Sequence, residues 1–491
     1  MTIKALRMHA LPSARTLGRL LLMLVLVSRA CLWSEPVRAP KTVPALLLSD
    51  IHFDPFADPA KISRLAAAPA SEWDQIFAAP SSPNREKDYT ALLETCNLRG
   101  PDTSAELWTS SLQAIKAKAA DASFVTVSGD VLAHNFDCKF NQRFPGAKEA
   151  ERVAFIEETI RYVVRGLRSA LPNVPIYVAM GNNDSGCGDY RDERHSPFLT
   201  QTAKILAETI PPSERSEMVR DFTAQGSYAA TLPASVPNTR ILVLDDLFLS
   251  SKYGDCAGKP NAVAPAAQIH WLEAQLAMAR EHRQHVWVLG HIPTGVDLYA
   301  TLTSMRNICG RGTPKMFLGN EQLAEVLAAN AETVSLAVFG HSHTDELRLL
   351  TSEKTPGRPG TGVAVKIVTS ISPVNGNNPA FTVARVDPAT AGLVDYTVFS
   401  ASNLTGVNST WSKEYTFSET YHQPAFNPAT LKVLTDGFRL DTPGNTAESA
   451  AYLRNFYVGD RSVLIKPLWP EYVCALTHDS AQSFTNCVCK K

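Results

Sequence analysis

The chain has almost no net charge, almost no long apolar run and no repeats, and each shortage excludes something. Forty-seven Lys and Arg nearly balance 48 Asp and Glu over 491 residues, so there is no excess of cations to hold a nucleic acid backbone. No internal repeat and no long low-complexity tract occur, which excludes a repeat architecture. Only one apolar run stands out near a terminus, "LLLMLVLV" from Leu20 to Val27. It is far shorter than the roughly 20 residues that cross a bilayer.

What that run does fit is a leader. Lys4, Arg7, Arg15 and Arg19 precede it, and Ser28 and Ala30 follow, the layout of a secretory signal peptide over residues 1–30. A membrane anchor and a lipoprotein site at Cys31 are the rivals, and Arg29 fits the second poorly. Cleavage after Ala30 leaves 42 basic against 48 acidic residues, a formal charge of −6. The expectation is therefore an extracytoplasmic protein: periplasmic, extracellular or in a lysosome-like lumen.

An oxidising compartment changes the meaning of the cysteines. Beyond Cys31 there are eight, Cys96, Cys138, Cys187, Cys256, Cys309, Cys474, Cys487 and Cys489, an even number that predicts disulfides of open connectivity. A zinc site on Cys474, Cys487 and Cys489 is disfavoured, because "CVC" leaves one residue between thiols where zinc knuckles typically leave two to four.

From Val43 onward, apolar runs alternate with helical patterns. The runs are "VPALLLSD", "SFVTVSGD", "VPIYVAMGNND", "RILVLDD", "HVWVLGH", "SLAVFGH" and "VAVKIVTS". Each is continuous, as in strands buried on both faces. Between them lie amphipathic stretches such as "SAELWTSSLQAIKAKAA" and "PAAQIHWLEAQLAMAREH", so the class is α/β with helices over the sheets. Residues 43–400 read as the main α/β domain, and 401–491, polar and aromatic with three cysteines, as a C-terminal subdomain. The stretch from Phe53 to Asp102 reads as a long functional loop or insertion.

Five of the strands end in a small residue followed by a side chain able to bind metal. "SDIH" offers Asp50 and His52, "SGD" Asp130, "GNND" Asn182, "LGH" His291, and "GHSH" His341 and His343. In open α/β sheets the site lies beyond the carboxyl ends of the strands, where these side chains can converge. The D-x-H and H-x-H spacings put each pair on one side of an extended segment. Carboxylate, imidazole and one amide oxygen suit zinc, iron or manganese better than calcium. Singly, each motif is more often a turn, a cap or a satisfied polar residue; five together in this order are not so easily explained.

The series "DIH", "GDVLAH", "GNND", "GHIPTG", "GHSH" resembles the calcineurin-like metallophosphoesterase superfamily, and within it the acid sphingomyelinase and acid sphingomyelinase-like phosphodiesterase branch. The resemblance covers roughly Leu46 to Glu346. It implies a four-layer α/β/β/α sandwich and two divalent metal ions, zinc in the exported members. Asp50, His52 and His343 would hold one ion, Asn182, His291 and His341 the other, and Asp130 would bridge them. A hydroxide between the ions would attack phosphorus in line. Two dications, two carboxylates and the hydroxide leave a formal +1, which matches a phosphodiester.

His134, four residues after Asp130, occupies the family's position for a phosphate-contacting histidine and is the candidate proton donor. Where many relatives have His after the Asn ligand, this chain has Asn183, which donates a hydrogen bond but delivers no proton near neutrality. Donation then falls to His134, to another residue such as His195, or to water. Ala133 and "VLAHNF" exclude purple acid phosphatases and Ser/Thr protein phosphatases.

Only a short linker separates the leader from Asp50, so the lipid-handling saposin-like domain of acid sphingomyelinase is not expected. That favours soluble phosphodiesters, nucleotides or polyphosphate as substrate. Trp411, Tyr415, Phe417 and Tyr421 leave open a lipid-facing rim and peripheral lipid contact, with ordinary packing the preferred reading. The non-enzyme rival is an exported metal-binding protein that has lost catalysis through Asn183. The sequons at Asn403 and Asn408 permit glycosylation in a eukaryotic host. A third match, at Asn183 itself, would put a glycan in the proposed site.

Overall fold

The computed structural model describes residues 41–304, 307–310, 312–352, 361–402, 410–459 and 462–489. The expected leader and the sequons at Asn403 and Asn408 lie outside the described residues.

All seven quoted runs are strands: β1 (Val43–Leu48), β2 (Val125–Ser128), β3 (Ile176–Ala179), β5 (Thr239–Val243), β6 (His285–Leu289), β7 (Val334–Phe339) and β9 (Val363–Ile367). Five more, β4 (Tyr228–Thr231), β8 (Glu346–Leu350), β10 (Ala380–Val386), β11 (Leu393–Ser400) and β12 (Ser412–Thr416), complete two six-stranded sheets. Their orders are β12-β11-β10-β1-β2-β3 and β4-β5-β6-β7-β9-β8. In the first sheet β1-β2-β3 are parallel and form one end, with β10, β11 and β12 antiparallel beyond β1; in the second β5-β6-β7-β9 form a parallel centre with antiparallel β4 and β8 at its edges. The added strands pair antiparallel, and half of β11 faces partly outward, so they lack the continuous apolar run that marks a central strand.

The sheets pack face to face. Leu46 and Val127 of the first share a core with Trp287, Leu289, Leu336 and Val338 of the second, and Phe124 meets the Trp287 ring edge-on at 5.3 Å. The outer face of the first sheet is covered by helices Ala105–Lys118 and Glu149–Ala170. That of the second is covered by Val263–Glu281 and Gln322–Ala329, through Leu272, Leu276, Leu323 and Leu327. The layers run α/β/β/α, as the family resemblance implied. Ser104 caps the first of these helices by accepting from the Leu107 N–H, a start signal legible in the sequence.

The stretch from Phe53 to Asp102 is not a loop but is largely helical, with helices Ile62–Ala67, Trp73–Ala78 and Arg85–Thr95. Phe53, Phe56 and Trp73 pack against Phe155 and Tyr162 of the long helix. Helices this short are marginal alone, and it is this aromatic contact that holds them. Beyond residue 400, β12 joins the first sheet's edge and short helices follow, from Phe417–Tyr421 to Ala481–Cys489. Tyr415, Phe417 and Tyr421 are buried, and Trp411 lies 5.3 Å from Phe381. These aromatics form packing, not a rim.

Four disulfides join the eight cysteines: Cys96–Cys138, Cys187–Cys256, Cys309–Cys489 and Cys474–Cys487. Oxidised cysteines cannot ligate zinc, which removes that rival reading.

Candidate active site

The ends of β1, β2, β3, β6 and β7 meet at one point between the sheets. His291 bonds through Nδ1 to the Ser128 carbonyl at 2.7 Å, and the His341 N–H donates to the Asp50 carboxylate at 3.1 Å, so each sheet fastens the other's ligands. The backbone turns hard to do this. Asp50, His52, Asp130, His341 and His343 all have positive φ, between 43° and 73°, a region that residues with a Cβ seldom adopt and that concentrates at functional sites. The expected extended D-x-H and H-x-H segments are therefore kinked: buried ligands must turn back toward a common centre, and an extended chain would carry them past it. Gly181 makes the close approach possible, since a Cβ there would overlap the Asp130 carboxylate.

The seven expected ligands converge. Asp130 Oδ2 lies 3.4 Å from His52 Nε2 and 3.2 Å from His291 Nε2. On one side, His52 Nε2 is 3.1 Å from His343 Nε2, which is 3.3 Å from Asp50 Oδ1. On the other, His291 Nε2 is 3.1 Å from Asn182 Oδ1 and 3.2 Å from His341 Nδ1. Ligands bonded to one ion at about 2.0–2.2 Å stand about this far from one another.

The tautomers agree with a metal centre. His52 Nδ1 and His291 Nδ1 each donate to a backbone carbonyl, Leu132 at 2.8 Å and Ser128 at 2.7 Å, which leaves both Nε2 lone pairs facing inward. Asn182 donates Nδ2 to Asp189 at 2.7 Å, which turns its carbonyl oxygen the same way. Ring nitrogens and oxygens turned inward on Asp130 require positive charge among them, as protons or as metal cations, so the residues present fit two metal ions.

Electrostatics say the same. Burial lowers the His52 and His291 imidazoles, but Asp130, ahead of the other carboxylates, overrides it and pushes them up to about 9 and about 10. Burial takes His341 and His343 down to about 3, helped at His341 by neighbouring His291 and at His343 by His52, although Asp50 opposes it there. Two carboxylates thus hold protons on two imidazoles, charge that binding of cations would displace.

His134 lies beside the first half of this centre, its ring stacked on His52 at 3.9 Å between centroids. Its Nδ1 bonds Asp102 Oδ1 at 2.9 Å, and its N–H bonds Asp102 Oδ2 at 2.9 Å. Burial raises the Asp102 carboxyl, but His134 and then Lys139 hold it well below the usual carboxylate range. The imidazole is thereby oriented with Nε2 away from Asp102. Asn183 is buried against Asp130, donating its N–H to Oδ1 and its Nδ2 to Oδ2, both at 2.9 Å. His195 is exposed on the turn before helix Pro197–Ala207 and forms no bond with these residues.

Several supporting residues escaped the sequence reading. Asp102 has no recognisable motif, and nothing in "GPDTS" says that it will meet a histidine 32 positions on. Asp184 was visible as the end of "GNND"; it accepts from the N–H groups of Gly181, Val131 and Leu132 and so binds the β2 and β3 loops together. Asp246, in "LDD", accepts from the His291 and Ile292 N–H groups at 2.8 and 3.0 Å. Tyr190 Oη lies 3.3 Å from His341 Nε2.

The chain is similar in sequence to known proteins. Residues 43–345 match the model of the family described as calcineurin-like phosphoesterase. The chain is 25% identical over 398 residues to cyclic GMP-AMP phosphodiesterase SMPDL3A of Homo sapiens, covering 79% of this chain and 80% of that one. It is 24% identical over 403 residues to human acid sphingomyelinase-like phosphodiesterase 3b, covering 79% and 80%. Against sphingomyelinase phosphodiesterase D of Dictyostelium discoideum it is 27% identical over 265 residues, covering 53% and 55%. The matched span contains both halves of the metal centre and His134, and the chain belongs to the calcineurin-like phosphoesterase family, whose members are metal-dependent hydrolases of phosphoric esters.

Proposed function

We propose that the chain is an exported dinuclear-metal phosphodiesterase that hydrolyses phosphodiester or pyrophosphate bonds. The observation that carries this reading is the position of Asp130 Oδ2, within 3.4 Å of one histidine from each half of the centre. Asp50, His52 and His343 would hold one ion and Asn182, His291 and His341 the other, with Asp130 contributing to both. Imidazole, carboxylate and amide donors suit zinc. When bound, the ions would supply Lewis acidity and charge stabilisation for hydrolysis at phosphorus.

The remaining roles fall to the protein. His134 stands beside the first ion's ligands and supplies a proton to the departing alkoxide, its ring aimed by Asp102. Asn183 holds both oxygens of Asp130, keeping the shared carboxylate from rotating. Four disulfides support an extracytoplasmic home, and none of the described helices is long and apolar enough to cross a membrane. The residues after 400 serve as a C-terminal subdomain to a catalytic domain spanning 43–400.

Hydrolysis of bis(p-nitrophenyl) phosphate, with and without added zinc, tests this reading alongside metal counting. Turnover that rises to a plateau at two ions per chain is expected. A folded, two-ion sample with no turnover would sink the enzyme reading in favour of a binding protein.

A further inference from the structure

The wall of the second half of the centre carries a cation that the metal chemistry leaves unused. Lys252 is exposed, and its Nζ lies 4.6 Å above the centre of the Tyr190 ring and 3.3 Å from Tyr190 Oη. Tyr190 Oη is in turn 3.3 Å from His341 Nε2. Two hydrogen bonds therefore separate the ammonium from a metal-ligating imidazole, and its charge is felt at His341, Asp189 and Asp297.

Among the described residues the ammonium has no acidic partner. Lys252 forms no ion pair with any of the described residues, and the carboxylates nearest in charge are engaged elsewhere. Asp189 accepts from Asn182, and Asp297 caps its helix through the Ala300 N–H at 2.8 Å. One of the three ammonium N–H groups reaches Tyr190, which leaves two to donate. Tyr190 accepts from Lys252 and from His341, whose Nδ1 faces the metal side, so the phenol's own O–H also remains to donate.

These donors are held in place. The Cys187–Cys256 disulfide ties the loop that carries Asn182 and Tyr190 to the one that carries Lys252. The Gly254 N–H donates to the Tyr190 carbonyl at 3.1 Å, and Tyr253 Oη donates to the Asp192 carbonyl at 3.2 Å. A lysine fixed by its backbone, stacked on an aromatic ring and free of carboxylates is suited to an anion.

We propose that Lys252 and Tyr190 form a second anion subsite, which takes a phosphoryl group adjacent to the one held by the metal ions. Resting on the phosphodiesterase reading, this names the substrate class as one with neighbouring phosphoryl groups, such as a nucleoside polyphosphate or a polyphosphate. A phosphodiester whose leaving group bears a quaternary ammonium gains nothing there, since like charges oppose.

The test compares inorganic pyrophosphate with orthophosphate on the zinc-loaded full chain, by calorimetry and by inhibition of bis(p-nitrophenyl) phosphate hydrolysis. In Lys252→Met the preference for pyrophosphate over orthophosphate falls about tenfold, the loss of one charge-assisted hydrogen bond. Lys252→Arg restores most of it. A preference unchanged in Lys252→Met, or lost equally in Lys252→Arg, overturns the subsite. The calorimetric arm needs no turnover, so an inactive wild type that still shows the tenfold change would defeat the proposed function and leave the subsite standing. An active wild type with no change would do the reverse.

Discussion

The two halves of the proposed metal centre use similar side chains but are held differently. Around Asp50, His52 and His343 the ligands are sealed, with side chains at most 2% exposed, and the outer nitrogen of His52 is fixed by a backbone carbonyl. Around Asn182, His291 and His341 the support comes partly from side chains, Asp189 behind the amide and Tyr190 behind His341, and His341 is partly exposed. Those side chains lie on a loop stapled by Cys187–Cys256. Where the backbone supplies the support, surrounding substitutions do little harm; where side chains supply it, geometry depends on a few replaceable groups. The first half is the more deeply buried, and the second depends more on a few replaceable side chains.

The comparison breaks most completely at the residue both halves share. Asp130→Ala removes the shared ligand, and activity is expected to fall at least about a thousandfold. Metal analysis should show fewer than two ions per chain; full occupancy would contradict the shared role.

Next comes a change that spares both halves. His134→Asn is expected to cost about 10² to 10⁴ in kcat with two ions retained, and Asp102→Asn a smaller loss of about tenfold to a hundredfold, because the ring stays but is no longer aimed. A loss of metal in either variant would make His134 a ligand.

The halves separate when the staple is cut. Replacing Cys187 and Cys256 together by Ser should weaken the second ion about tenfold or more, as loss of supporting partners does, while the first ion stays. Titration with a chelator, followed by metal counting, reads this directly. Equal loss of both ions would show that the staple supports the whole fold instead.

The smallest effect is on pH dependence. Burial pushes the Asp246 carboxyl up to about 7 although His291 opposes it, against an unfolded value near 4. Between these values the folded state binds more protons than the unfolded one, so the contribution to stability is present at low pH and is lost as pH rises toward 7. Thermal unfolding of Asp246→Asn should therefore lose, relative to the wild type, a component of Tm that declines between pH 5 and 7. An unchanged slope would show that the carboxyl titrates normally.

The site was more legible than its surroundings, for a physical reason. Asp50, Asp130 and His291 each follow a run such as "ALLLS" or "VWVLG", where a buried strand must end and a small residue lets the chain turn, so position and chemistry coincide locally. The support is not local. Asp102 reaches His134 only because the short helices between Phe53 and Asp102 fold back on Tyr162 and Phe155. That region read as a loop because its helices are too short to show a strong period. The strands β10 to β12 were missed because their burial depends on neighbours far away in the chain.

By itself the sequence determined which side chains end the central strands and how many thiols there are to pair, since hydrophobic runs and residue identity are local properties. Only the tertiary structure decided which thiols pair, which carboxylate aims His134, and that Lys252 is anchored beside His341 with no acidic partner among the described residues. Those outcomes depend on which distant segments the packing of two sheets brings within hydrogen-bond reach, and that is a property of the folded core, not of any stretch of the chain.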